Sequence, residues 1–140
     1  GEALRATCFM IKTEAKTLYH AAAVVASNYL VTLVDIALRL LESAGIKSSD
    51  GFQVLSPLIN GTLANIDAIG IPDALTGPIA RGDTETVATH VEAIYKDAPA
   101  IGDVYSQLGL LTIGIAGDKG TLSASGADAL KQLLSARPVK

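Results

Sequence analysis

The stretch EAKTLYHAAAVVASNYLVTLVDIALRLLESAG, Glu14 to Gly45, decides the fold. From Glu14 to Ala44 nothing breaks a helix, and Gly45 stands where a C-terminal cap belongs. A helix of that length runs about 45 Å at 1.5 Å per residue. Its middle is apolar almost all round, which predicts a helix buried on most sides. In a chain of 140 residues, such burial is easiest when a second copy packs against it. Asp35 and Arg39 are spaced i, i+4 and predict an ion pair on one edge.

Composition points the same way. Hydrophobic residues make up 49% of the chain but aromatic residues only 4%, so the apolar content is Ala, Val, Leu and Ile suited to close-packed helices. A net charge of −3 with no basic stripe argues against a nucleic-acid partner. The single cysteine, Cys8, cannot form an internal disulfide, which suggests a reducing, cytoplasmic setting. Gly1 to Ile11 lacks the basic start and long apolar middle of a signal peptide. The longest uncharged apolar run, Ala21 to Val34, is interrupted by Ser27 and Asn28 and ends at Asp35. A membrane span asks for about 20 apolar residues in succession, so no membrane is expected.

Either side of the long helix the chain reads as follows. TCFMI, Thr7 to Ile11, is a run of strand-forming type, and one strand alone cannot satisfy its backbone. That suggests a remnant of a preceding domain, the alternative being that the segment is simply irregular. Ser48, Ser49 or Asp50 should cap a second helix to about Ile69, with Pro57 kinking it. Gly70 to Asp83 must be a structured loop, after which Asp83 caps a third helix to about Lys96. Pro99 falls in the first turn of a fourth helix reaching about Ala116. Ser123 or Ser125 opens a last helix whose Ala127, Leu130, Leu133 and Leu134 share one face. The expected fold is all-α: a helical bundle of five or six helices around one long N-terminal helix, with a remnant strand before it.

Three stretches carry polar residues of chemical interest. On the long helix, Lys16, His20, Ala23 and Ser27 line one stripe. Asn28 lies about 100° round, on a stripe with Thr32, Asp35 and Arg39. A His can move protons near neutral pH, and an Asn can hold a carbonyl or amide. The same stripes also suit solvent or hydrogen bonds between helices. In NGTLANI, Asn60 to Ile66, Thr62 and Asn65 share a face at i, i+3, as a ligand or a helix crossing would require. In ALTGPIARGD, Thr76 offers a hydroxyl, Gly77-Pro78 fixes a turn, and Arg81 could hold an anion or bond helix-end carbonyls. His90 reads as a surface residue, and two distant histidines give no metal-ligand spacing. No phosphate loop or nucleophile elbow is present.

Taken together, LYHAAAVVASNYLV, LSPLINGTLANI and DALTGPIARGDTETVATHVEAI resemble the helical C-terminal domain, of unknown function, of a family of Rossmann-like oxidoreductases. That family is similar to pyrroline-5-carboxylate reductase, ketopantoate reductase and the β-hydroxyacid dehydrogenases. The likeness runs from about Leu18 to Ile94 and fades over the last two helices. It implies a fold of the 6-phosphogluconate dehydrogenase C-terminal type, forming a homodimer through the long helix. It also implies an N-terminal Rossmann domain that binds NAD or NADP, with no cofactor held by these residues alone. Residues 1–12 would then be a remnant or linker from that domain, and 13–140 the helical substrate-binding and dimerisation domain. The resemblance assigns hydride transfer to or from a small carbonyl, imine or hydroxy compound. By analogy, His20 and Asn28 are the polarising or acid–base groups, and Ser27, Thr62, Asn65, Thr76 and Arg81 bind substrate. The chain departs from its relatives in two ways. It has no dinucleotide fingerprint, so it is expected to be inactive alone. Val24 precedes Asn28 by four residues, so the Lys–Asn pair of related dehydrogenases is absent. The alternative is a helical dimerisation or interaction module without chemistry.

Overall fold

The computed structural model describes residues 10–138. The chain divides after Arg39 into two compact units. Helix α1, Thr13–Ser43, opens with a 3-10 turn at Thr13–Ala15 and contains a π turn at Val24–Asn28. It ends as Gly45 predicts. The Gly45 N–H donates to Glu42 O at 2.9 Å, the Ile46 N–H donates to Leu41 O at 3.0 Å, and Gly45 has φ +91°. This is a Schellman stop, in which a left-handed glycine lets two terminal carbonyls be satisfied. The i, i+4 ion pair forms, with Arg39 Nε 2.9 Å from Asp35 Oδ2.

No residue of α1 is buried. The apolar girth that the sequence expects to be covered is therefore left open among the described residues. By length and composition the helix also meets what a bilayer crossing asks. Thr7 to Phe9 of the expected strand lie outside the described residues. Met10 and Ile11 belong to no regular element, and no strand occurs among the described residues.

The second unit holds α2 (Ser48–Ile69), α3 (Thr84–Asp97), α4 (Pro99–Lys119) and α5 (Ala124–Ser135). With five helices and no strand among the described residues, the protein is all-α. The cap of α2 is Lys47 rather than Ser48, Ser49 or Asp50, and the Ser48 hydroxyl donates instead to Glu42 Oε1 at 2.7 Å. Pro57 does not end α2, which continues through it for 22 residues in all. Asp83 caps α3: its Oδ1 accepts the Thr86 N–H at 3.1 Å and its Oδ2 the Thr86 hydroxyl at 2.7 Å. Pro99 opens α4, which reaches Lys119 because the first left-handed residue is Gly120. Ser123 caps α5 by accepting the Gly126 N–H at 3.0 Å.

Helices α3, α4 and α5 form the core. Val87 and Val91 of α3, Ile113 of α4, and Leu130 and Leu134 of α5 are buried against one another. Close packing is possible because Gly109 gives α5 room. A Cβ there would stand 2.8 Å from Leu134 Cδ1.

Candidate functional site

A cavity of about 440 Å3 lies between the second half of α2, the loop after it, and Ile115 of α4. Thr62 and Asn65, one turn apart on α2, face it together with Thr76 of the loop. Two motifs that the sequence singled out separately thus meet on one wall. The remaining lining is apolar, including Pro57, Leu58, Ile66, Ile71 and Leu75, and no Asp, Glu, Lys or Arg is part of it. The Thr62 hydroxyl donates to Leu58 O at 2.9 Å, four residues back, so its proton is already used. Gly61 opens into the same cavity, and a Cβ built on it would meet nothing within 4 Å. The glycine contributes space for a ligand rather than a close helix crossing.

The loop is held by the start of the next connection. Lys119 Nζ donates to Asp73 O at 3.0 Å and to Leu75 O at 2.6 Å. Thr121 Oγ1 donates to Ala80 O at 2.7 Å. Within the loop, Gly77 adopts φ +96°, a conformation that favours glycine. Thr76 is therefore set between a fixed glycine turn and two carbonyls gripped by one ammonium group. Neither strap was visible in the sequence, since donor and acceptor stand more than 40 residues apart. Arg81 does not line the cavity. Its charge acts on Asp83, whose carboxyl sits below the ordinary carboxylate range. The larger causes are the Thr86 hydroxyl and then the Thr86 N–H, with Arg81 adding a smaller pull.

In the first unit, the π turn changes which residues of α1 share a side. The Tyr29 N–H reaches Val24 O, five residues back, so this turn carries one residue more than an α turn. An extra residue rotates everything after it back by about 100°. Asn28 consequently takes the place that a regular helix would give Ser27. Lys16, His20, Asn28, Thr32, Asp35 and Arg39 then fall within an arc of about 60°, a single polar edge where the sequence suggested two. All six are at or near the surface, and the Thr32 hydroxyl donates to Asn28 O at 3.3 Å. His20 and Asn28 are thus brought onto one line, and Ser27 is turned away from them. Among the described residues no cluster of His, Cys, Asp or Glu could hold a metal ion.

No curated protein and no solved structure matches the chain. A family described as a domain of unknown function, DUF2520, matches residues 1–112 of the 140. The match takes in α1, both site motifs and most of α4, and the chain belongs to that family.

Proposed function

We propose that this chain is the substrate-binding and dimerisation part of an NAD- or NADP-dependent oxidoreductase acting on a small carbonyl, imine or hydroxy compound. The observation that carries this reading is the meeting of Thr62, Asn65 and Thr76 on one mostly apolar cavity. Pockets for small molecules have this form, with apolar walls and a few polar groups that fix orientation. The Asn65 amide has a donor and an acceptor to offer a carbonyl or imine, and the Thr76 hydroxyl can do either. Arg81, at the end of the same loop, is assigned to an anionic part of the substrate. His20 and Asn28, on the polar edge of α1, are assigned as the polarising or proton-handling groups.

The described residues do not fit a dinucleotide. They contain no glycine-rich turn between strand and helix, and the cavity has no cation to meet a pyrophosphate. In this reading the cofactor is carried by a Rossmann domain outside these residues. The setting assigned is the cytoplasm. The test is the whole gene product: a dinucleotide fingerprint within about 150 residues upstream, typical of one such domain, supports the reading. A start codon at Gly1 refutes it. If the fingerprint is present, oxidation of NADH or NADPH with a panel of carbonyls and imines should fall at least about ten-fold when Asn65→Ala and Thr76→Val are combined, about 1.4 kcal/mol of lost binding. Unchanged turnover would leave the non-catalytic module as the better reading.

Dimerisation rests on α1. Leu18, Val25, Val31 and Tyr29 are all more than half exposed. Burying a Leu or Val is worth about 1.5–3 kcal/mol each, so several of them offset an association cost of roughly 4–15 kcal/mol. Light scattering should give twice the 14.4 kDa of one chain. A strict monomer in detergent-free buffer counts against the dimer, and recovery only in detergent micelles favours a bilayer as the cover.

A further inference from the structure

Thr76 also borders a second cavity, of about 370 Å3, which the first reading does not use. Its walls include Pro78 and Ile79 from the loop and Leu108 from α4. His90 of α3 and Tyr105 of α4 form its polar part. Their side chains are joined, with His90 Nδ1 2.9 Å from the Tyr105 hydroxyl oxygen and the two rings edge to face at 84°. Tyr105 packs against the core, and His90 immediately precedes buried Val91, so two rigid helices fix the pair.

The chemistry of this cavity restricts what it can hold. No Asp, Glu, Lys or Arg lines it, so a charged ligand would find no counter-charge on its walls. The Thr112 hydroxyl on its wall is occupied by Leu108 O at 2.8 Å, which leaves Thr76, His90 and Tyr105 as the groups open to a guest. Burial pushes the Tyr105 phenol above its ordinary range, so it keeps its proton throughout the neutral region. The bond between the pair can be made in two ways. With the ring proton on Nε2, the phenol donates to Nδ1 and its oxygen accepts from a guest. With a proton on Nδ1, the phenol oxygen accepts from His90 and its own O–H turns to a guest. The pair can therefore meet an oxygen that accepts and a hydroxyl that donates.

We infer that the second cavity is a binding site for a small uncharged molecule with an apolar body and one carbonyl or hydroxyl oxygen, held by Tyr105, His90 and Thr76. This inference does not rest on the oxidoreductase assignment, although Thr76 borders both cavities. A bare tie between α3 and α4 would need the same hydrogen bond but no room beside it.

The chain has two histidines, His20 and His90, so ring-nitrogen NMR of the 140-residue protein carries its own internal reference. Cyclohexanone is the probe and cyclohexanecarboxylate the charged control. Cyclohexanone should shift the His90 ring nitrogens and leave His20 in place, while the carboxylate should do neither. Tyr105→Phe, which keeps the ring in the core, should weaken binding about five-fold, the worth of one hydrogen bond. Thr76→Val, away from the core, provides the same reading by chemical shifts if Tyr105→Phe fails to fold. Gly61→Leu fills the first cavity and should leave the His90 response intact. No His90 shift up to the solubility limit, equal binding of the carboxylate, or unchanged affinity in both variants overturns the inference. Loss of the response in Gly61→Leu overturns it too, since the probe would then sit in the first cavity.

Discussion

The first unit and the core of the second are built from nearly the same residue types and treat them in opposite ways. Val87 and Leu130 are 0% exposed in the three-helix core, while Leu18 is 74% and Val31 70% exposed on α1. Helix-forming apolar residues do not decide burial by themselves. What decides it is whether neighbouring helices can come close enough, as Gly109 allows α5 to do at Leu134. The core is complete within one chain. Helix α1 carries a surface of the same chemistry that is exposed among the described residues.

The largest expected effect separates the two regions directly. Leu130→Ala should cost about 2–5 kcal/mol, read as a lowered melting temperature, because it empties a fully buried site. Val31→Ser on α1 should leave that melt almost unchanged in dilute solution and weaken association instead, read by light scattering. A large loss of monomer stability in Val31→Ser would break the comparison. Smaller is the effect of Lys119→Met, which frees the carbonyls of Asp73 and Leu75. The expected loss is about 1–3 kcal/mol, with faster amide exchange across residues 73–76 and little change in α5. Gly61→Ala should stabilise by about 0.5–1 kcal/mol, since it sits mid-helix with open space beside it, while narrowing the first cavity. The smallest effect belongs to pH. Asp83 ionises more readily in the folded chain than its usual 3.8, chiefly through the Thr86 hydroxyl. Its contribution is therefore fully present above about 3.8 and is lost as pH falls through the lower folded value. Asp83→Asn should flatten that acid limb of the stability curve in denaturant titrations.

Legibility in the sequence followed the range of the interaction. Gly45, Asp83, Pro99 and Ser123 act on backbone groups within a few residues, and each marks a helix end where local rules place it. Ser48 to Asp50 misled because several candidate caps stand in a row, and backbone geometry selects Lys47. Pro57 stands inside α2, within the bounds the sequence gives that helix, because the residues on both sides still favour helix. Of the site, Thr62, Asn65 and Thr76 were legible as polar residues in apolar surroundings, and the structure does gather them. Arg81 was legible as a loop cation but stands apart from that cavity. The His90–Tyr105 bond left no trace in the sequence, because the pair stand fifteen residues apart on different helices. His90, read as an ordinary surface residue, has a bonded partner.

The π turn of α1 gives the helix one place where a residue can be lost without a change of phase. Deleting a single residue between Val24 and Asn28 would let the ladder close as a regular α-helix without breaking it. The half that carries Asp35 and Arg39 would keep its direction relative to the half that carries Lys16 and His20, because every residue after the turn already stands where a regular helix places the one before it. Elsewhere in α1 a one-residue deletion scrambles the pattern of apolar positions beyond it. Here it would act as slack taken out of a rope, removing one residue while the polar edge on either side stays in line.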